Sequence, residues 1–257
     1  MINNGKKLKI SLWENKELFD ITPSIVNVEP QSTIKSGDHV PIFSKQFPSS
    51  EQGHRFKSEE TMKLLKQDRI EPSNSPWSSP ILSLKKQDKS LRFCIDLRRI
   101  NEITIKDKYP MPITYDIFDQ MSNAAYFSKI DFKSVYFEIL LVKSERPKTA
   151  FSTRDGRYQF CVLPQGVSNG TPVFQRIINN ILGPAKWKYT LAFLDDIIIY
   201  NNSFDQNIEH LSHILSLLRD ARIRLNIEKS EFVKTKMNYL GHHIEHGIIR
   251  PNEEKIR

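Results

Sequence analysis

Hydrophobic and polar positions alternate most clearly over residues 91–97, where Leu91, Phe93, Ile95 and Leu97 face one way and Arg92, Cys94 and Asp96 the other. A period of two is a strand signal. Paired with apolar residues 81–84 across the charged turn Lys85-Lys86-Gln87-Asp88-Lys89-Ser90, it predicts a hairpin. A second hairpin is expected from residues 149–153 and 158–163, because Asp155-Gly156 suits a tight turn. Helical spacing appears at 113, 117, 118 and 121, at 174, 177, 178, 181 and 182, and at 211, 214, 215 and 218. Pro172 suits the first position of the second of these helices. A further helix is expected over residues 58–68, entered at Ser58 and Glu60-Thr61, with Met62, Leu65 and Lys66 on one face. Residues 126–141 are strand-rich, with a break at 133–136. Ile223, Leu225 and Ile227 alternate as a strand, and residues 237–244 and 248–250 predict a last hairpin around His246-Gly247. Residues 71–80 hold three prolines and exclude regular structure. Residues 1–40 show no sustained period and read as an arm or linker.

One stretch departs from ordinary folding logic. Residues 190–200 read T-L-A-F-L-D-D-I-I-I-Y, two strand-length apolar runs around Asp195-Asp196. A hairpin turn favours Asn-Gly or Asp-Gly, since φ must be positive there. Asp-Asp is a poor choice on turn chemistry, so a second demand acts on it. Adjacent carboxylates repel, and a hard divalent cation with oxygen ligands relieves that repulsion. Asp131 ends another apolar strand, Phe127-Ser128-Lys129-Ile130-Asp131-Phe132, where a carboxylate is costly unless paired or metal-bound. Three carboxylates on neighbouring strands can hold two Mg²⁺ ions that clamp the attacking and leaving oxygens of a phosphoryl transfer.

Composition narrows the class without deciding it. The 257 residues are 39% hydrophobic and 26% charged, a globular balance with room for one large domain or two subdomains. The net charge of +8 favours a polyanionic partner such as nucleic acid. No apolar run reaches the ~20 residues of a membrane helix. No apolar core marks the N-terminus as a signal peptide. Cys94 and Cys161 form no metal-ligand spacing and fit a reducing compartment. His242, His243 and His246 lie on a predicted strand and turn without an evident fourth ligand, and read as solvated imidazoles. His210 and His213, three apart on a helix, read as surface.

Taken together, the short motifs resemble the fingers and palm of reverse transcriptases, of the kind encoded by gypsy-like long-terminal-repeat retrotransposons and, more distantly, by retroviruses. They run in the family's order: Ser75-Pro76-Trp77-Ser78-Ser79-Pro80; Arg92-Phe93-Cys94-Ile95-Asp96-Leu97-Arg98 with Asn101; Tyr109-Pro110-Met111-Pro112; Phe127-Ser128-Lys129-Ile130-Asp131; Thr149-Ala150-Phe151; Leu163-Pro164-Gln165-Gly166; Phe174-Gln175-Arg176; Phe193-Leu194-Asp195-Asp196; and Tyr239-Leu240-Gly241-His242. The likeness covers residues 57–257. It implies an α+β right-hand polymerase fold, an antiparallel palm sheet backed by helices. A fingers subdomain would span residues 57–110 and 143–163, the palm the remainder, and residues 1–56 would be an N-terminal arm.

The implied activity is RNA-directed DNA synthesis, transferring a nucleotide from a dNTP to a primer 3′-hydroxyl on an RNA or DNA template. Asp131, Asp195 and Asp196, helped by the Phe132 carbonyl, would bind two Mg²⁺ ions, with Mn²⁺ as a substitute. Lys86, Arg92, Phe132, Tyr136 and Gln165 would contact the nucleotide, Lys86 and Arg92 at its triphosphate and Tyr136 as a ring that excludes a 2′-hydroxyl. Tyr239, Leu240 and Gly241 would form the primer grip, and Lys229 would protonate the pyrophosphate. The stretch ends at Arg257, where a thumb would begin, so a missing thumb and ribonuclease H would be encoded downstream. The implied setting is intracellular, in cytoplasmic virus-like particles or the nucleus, with no membrane. Val135 stands where the pattern usually has Gly; if that site needs positive φ, valine is badly tolerated. The alternative is a catalytically inactive, truncated or domesticated remnant that at most binds nucleic acid.

Overall fold

The computed structural model describes residues 2–20, 22, 24–85 and 91–252, with the side chains of residues 2–4 and 85 left aside. The elements in chain order are α1 (Ile2–Glu14), α2 (Glu51–Lys66), β1 (Ile70–Pro72), β2 (Ile81–Lys85), β3 (Leu91–Ile95) and α3 (Arg98–Ile103). There follow α4 (Thr114–Met121), β4 (Tyr126–Asp131), β5 (Phe151–Ser152), β6 (Arg157–Phe160) and α5 (Gly170–Leu182). The chain continues through β7 (Thr190–Phe193), β8 (Asp196–Asn201), α6 (Phe204–Asp220), β9 (Glu231–Lys234), β10 (Lys236–Tyr239), β11 (His242–Glu245) and β12 (Ile248–Pro251). They group into two compact units, one of residues 1–27, 109–135 and 174–257, the other of residues 28–108 and 136–173.

The first unit is built on an antiparallel sheet in the order β7-β8-β4-β9. Its central strands are apolar on both faces: Phe127, Ile130, Ile197, Ile198 and Ile199 are all fully buried. Such strands need cover on both sides. Part of it comes from α6, whose Leu211, Ile214, Leu215 and Leu218 are fully buried. α5 likewise buries Phe174, Ile177, Ile178 and Leu182. Ile117 and Met121 of α4, Phe127, Leu191, Ile198, Met237, Tyr239 and Ile244 close one core cluster. That cluster ties a second sheet, β10-β11-β12, into this unit. Serine caps α6 as helix chemistry expects: Ser203 Oγ accepts from the Gln206 amide.

The second unit carries two small sheets, β2-β3 and β1-β6-β5. Both predicted hairpins are present, with Leu82 opposite Cys94 and Phe151 opposite Tyr158. Buried Glu145 organises the chain that precedes α2: its carboxylate accepts from the Thr33 and Ile34 amides and from Ser32 Oγ.

Several elements differ from the sequence reading. The polar first residues form α1 rather than an arm, and α2 starts at Glu51, seven residues before the expected Ser58. The run from 137 to 142 is not a strand, because Val135–Glu138 coil into a 3-10 turn. Ile223 and Leu225 are buried, but the segment forms no full strand: their amides bond to the Leu218 and Leu18 carbonyls, and Leu225 makes an isolated antiparallel bridge to Phe132 just past β4. The last segment is a three-stranded sheet, since Leu240-Gly241 turns β10 back as β11. No described helix is long and apolar enough to cross a membrane.

Candidate active site

The register of β4 against β8 decides the site. Six antiparallel pairs run from Tyr126 opposite Asn201 to Asp131 opposite Asp196. The two carboxylates are therefore direct cross-strand neighbours, with Cβ atoms about 4.5–5.5 Å apart. Like charges in that position destabilise a sheet. Asp195 lies one residue earlier, exposed in the turn between β7 and β8. The turn is Leu194-Asp195 rather than Asp195-Asp196, because Phe193 pairs with Asp196. Its positive φ falls on Leu194, at 54°.

Burial and mutual repulsion show in the carboxylates' acidity. Asp131 is pushed above the ordinary aspartate range, chiefly by burial, with Asp195 adding repulsion against the pull of Lys229 and Lys129. Asp196 is pushed up in the same way, by burial first and then by Asp131 and Asp195, while Lys129 opposes. Lys129 sits two residues before Asp131, on the same face of β4, and pairs with Glu231 of β9 at 3.1 Å. The strand end is closed by the loop after α6. Ser230 Oγ accepts from the Asp131 amide at 3.1 Å, and the Asp131 carbonyl accepts from the Asn226 amide at 2.9 Å. Lys229 lies in that loop.

Two opposed carboxylates beside an exposed third are the oxygen donors a hard divalent cation takes. Mg²⁺ usually uses one or two carboxylates and completes its shell with water and substrate phosphate. Among the described residues no three of His, Cys, Asp or Glu are grouped so that they could hold a metal ion by themselves, so the expected convergence of all three aspartates is not seen and the opposed pair is Asp131 and Asp196. The donor set suits a cation shared with a phosphate-bearing substrate rather than one held by protein alone.

The remaining sequence-predicted residues fall as follows. Phe132 is buried, its ring edge-on to Phe174 at 5.1 Å and its backbone bridged to Leu225. Tyr239 is 2% exposed in the core cluster, and its burial near Asp196 pushes the phenol far up. Leu240 and Gly241 form the β10–β11 turn with φ of 47° and 78°. Three of the predicted residues belong to the second unit. Arg92 is exposed on β3. Tyr136 is half-buried, its ring 3.5 Å from where a Cβ on Gly170 would stand and its hydroxyl 3.5 Å from Thr171 Oγ1. Gln165 is exposed in a turn that Asn101 clamps, donating to the Gly166 carbonyl at 2.7 Å and accepting from the Ser168 amide at 2.8 Å. Lys86 lies outside the described residues. Val135 carries no left-handed strain: the positive φ falls on Ser134, at 50°, and Val135 is buried beside it.

The sequence reading missed two features. Lys129 was legible from the strand period, as the residue two before Asp131. A cleft of about 410 Å³ in the second unit was not, since it assembles Phe43, Phe47, Arg98 and Arg99 from distant segments. Phe43 and Phe47 are 56% and 47% exposed, and the Arg157 guanidinium lies 5.8 Å over the Phe43 ring.

Comparison with known proteins shows the family. Residues 84–244 match the profile of the family described as reverse transcriptase (RNA-dependent DNA polymerase). The chain belongs to the reverse transcriptase family. It is similar to the retrovirus-related Pol polyprotein from transposon gypsy of Drosophila melanogaster, 32% identical over 98% of this chain and 25% of that polyprotein. The Pol polyprotein from transposon 297 of the same species is 38% identical over 84% of this chain and 21% of its own length. The chain thus spans about a quarter of the length of such relatives. Among solved structures, a foamy viral protease–reverse transcriptase in complex with double-stranded DNA matches 98% of this chain and 44% of its own, with a TM-score of 0.88 at 20% identity. Another, in complex with an RNA/DNA hybrid, matches with a TM-score of 0.86 at 19% identity, covering 98% of this chain and 34% of its own. At these identities the likeness shows the fold, a mix of helices and antiparallel sheet shared with a right-hand polymerase. Membership of the family implies dependence on a divalent metal ion.

Proposed function

We propose that this chain is the catalytic part of an RNA-directed DNA polymerase of a retrotransposon, adding deoxynucleotides to a primer 3′-hydroxyl on an RNA or DNA template. The observation that carries the reading is the placement of Asp131 directly opposite Asp196. A sheet gains nothing from that pair, and the family supplies a reaction that needs it.

Asp131 and Asp196, with Asp195, would hold Mg²⁺, with Mn²⁺ as a substitute. A bound divalent ion supplies charge to the reacting phosphate and lowers the pKa of a coordinated hydroxyl. The protein's own share is placement. β4 and β8 fix two carboxylates in register, and the Asn226–Ser230 loop fixes the end of β4. Lys129 and Lys229 temper the local negative charge. The roles given by resemblance to Lys86, Arg92, Tyr136 and Gln165 toward the nucleotide, and to Tyr239, Leu240 and Gly241 toward the primer, belong to the same proposal. Lys229 as proton donor to pyrophosphate belongs to it too.

The cleft of the second unit supports a nucleic-acid partner. Its exposed rings suit unpaired bases, and Lys45 and Arg99 offer cations to their phosphates, while Arg98 is paired to Asp96 and Glu102 adds a negative charge. Val135, buried and without positive φ, gives no support to the alternative of an inactive remnant.

Primer extension tests the proposal. The polypeptide that carries this chain should extend a DNA primer on an RNA template with dNTPs, stop on chelation, and restart with Mg²⁺. Asp196→Asn should lower the rate about 10²–10³-fold, the scale of lost transition-state charge stabilisation. Equal extension by wild type and Asp196→Asn would overturn it.

A further inference from the structure

The hairpin that carries Asp195 and Asp196 has a weak point. Leu194 turns the chain with φ of 54°, a region that costs a non-glycine residue about 1 kcal/mol or more. Its side chain is 40% exposed, so burial of the leucine does not hold the turn in place. The hold comes from its backbone. The Leu194 amide donates to Gln175 Oε1 at 3.2 Å.

Gln175 lies on α5 and is fully buried. Its Nε2 donates to the Ala192 carbonyl at 2.8 Å and to Asn179 Oδ1 at 3.2 Å. One carboxamide thus grips the strand before the turn and the turn itself. The orientation of the amide is fixed by chemistry, since a carbonyl can only accept and a backbone amide can only donate. The network runs on: Asn179 Nδ2 donates to the Tyr109 hydroxyl at 2.9 Å, and the Arg176 guanidinium lies 4.8 Å over the Tyr109 ring. A buried polar network satisfied in this way fixes one arrangement.

We infer that Gln175 is a positioning residue of the polymerase centre: it locks the Leu194-Asp195 turn so that Asp196 stays opposite Asp131. This rests on the reading of those aspartates as the reaction centre. Gln175 touches no reacting atom. Its effect passes through the hairpin, where a misplacement of ~1 Å can cost about 10²-fold in rate.

The test compares Gln175→Met, which keeps length and loses the hydrogen bonds, with Gln175→Met/Leu194→Asn, in which the turn residue tolerates positive φ. Hydrogen exchange on the full chain reads the hairpin directly. Gln175→Met should speed exchange of the 193–196 segment at least about tenfold, as loss of its two bonds to the hairpin allows, and leave the β4–β9 pairing unchanged. In single-nucleotide extension by the polypeptide that carries this chain, kcat should fall about 10²-fold with KM for dNTP within about threefold. Adding Leu194→Asn should restore at least about a tenth of the wild-type kcat. Unchanged hairpin exchange, equal acceleration of every strand, or failure of Leu194→Asn to restore kcat would each overturn the inference. If wild type and Asp196→Asn extend primers equally, the polymerase reading falls. The exchange result then still decides whether Gln175 holds the turn.

Discussion

At the scale of single residues, the pair Asp131 and Asp196 gives a stability signature of its own. Both carboxyls sit above the ordinary aspartate range in the folded chain. An acid with a raised folded pKa favours folding while protonated. That contribution is complete below the unfolded pKa and is lost as pH rises through the folded one. At neutral pH in metal-free buffer the pair is a burden. Asp196→Asn should raise the midpoint of thermal unfolding by a few degrees at pH 7 and by less near pH 4. Divalent cations should raise the wild-type midpoint and leave that of Asp196→Asn nearly unchanged. A lower midpoint for the variant at pH 7 without metal would refute the repulsion. Tyr136 offers a second residue-level test. Tyr136→Ala should increase ribonucleotide use relative to deoxynucleotide use at unchanged divalent-ion dependence. An unaltered ratio in competitive extension would remove the ring from sugar selection.

Elements show where sequence patterns carry structural information and where they fail. The hairpins flanking residues 86–90 and Asp155-Gly156 were legible because pattern and turn chemistry agree there, whereas the one at Asp195 was legible from its two apolar runs against its turn chemistry. The opposition of Asp131 and Asp196 was foreseen only as nearness; the register that makes it direct is a tertiary fact. α1 escaped because its contact with α6 is polar: Ser11 Oγ meets Ser212 Oγ at 2.6 Å and Lys7 meets Asp205 at 2.6 Å. No apolar stripe announces such a helix. Ile223 and Leu225 alternate as a strand would, but the pairing is a single antiparallel bridge from Leu225 to Phe132, which periodicity cannot distinguish from a full strand. β9 was missed because Glu231-Phe232-Val233-Lys234 is short, with charged ends. Gly247 belongs to the same scale. Its φ is 75°, and an added Cβ would lie 1.9 Å from the Ser122 carbonyl oxygen. Gly247→Ala should cost about 1–3 kcal/mol by denaturant unfolding, through strain and displacement of the turn after α4. A neutral effect would mean that the β11–β12 turn yields easily.

For the whole molecule, the net charge of +8 implies salt-dependent attraction to nucleic acid. The cleft of the second unit divides that attraction into two kinds. Phe47→Ala should weaken binding of single-stranded RNA about tenfold at constant salt slope, since a lost stacking ring releases no counterions. Lys45 also lines the cleft, and Lys45→Ala should weaken binding less at high salt and reduce the slope of log K against log salt by about 1. Fluorescence anisotropy across a salt series separates the two, and identical slopes for both variants would contradict the assignment. The central claim remains the cation site made by β4 and β8. Its most direct measurement is titration of the chain with Mn²⁺, followed by electron paramagnetic resonance of the free ion. Wild-type protein should withdraw Mn²⁺ from solution, with Asp131→Asn and Asp196→Asn each weakening uptake at least about tenfold, the worth of ~1.4 kcal/mol. Uptake unchanged in both variants would contradict the account.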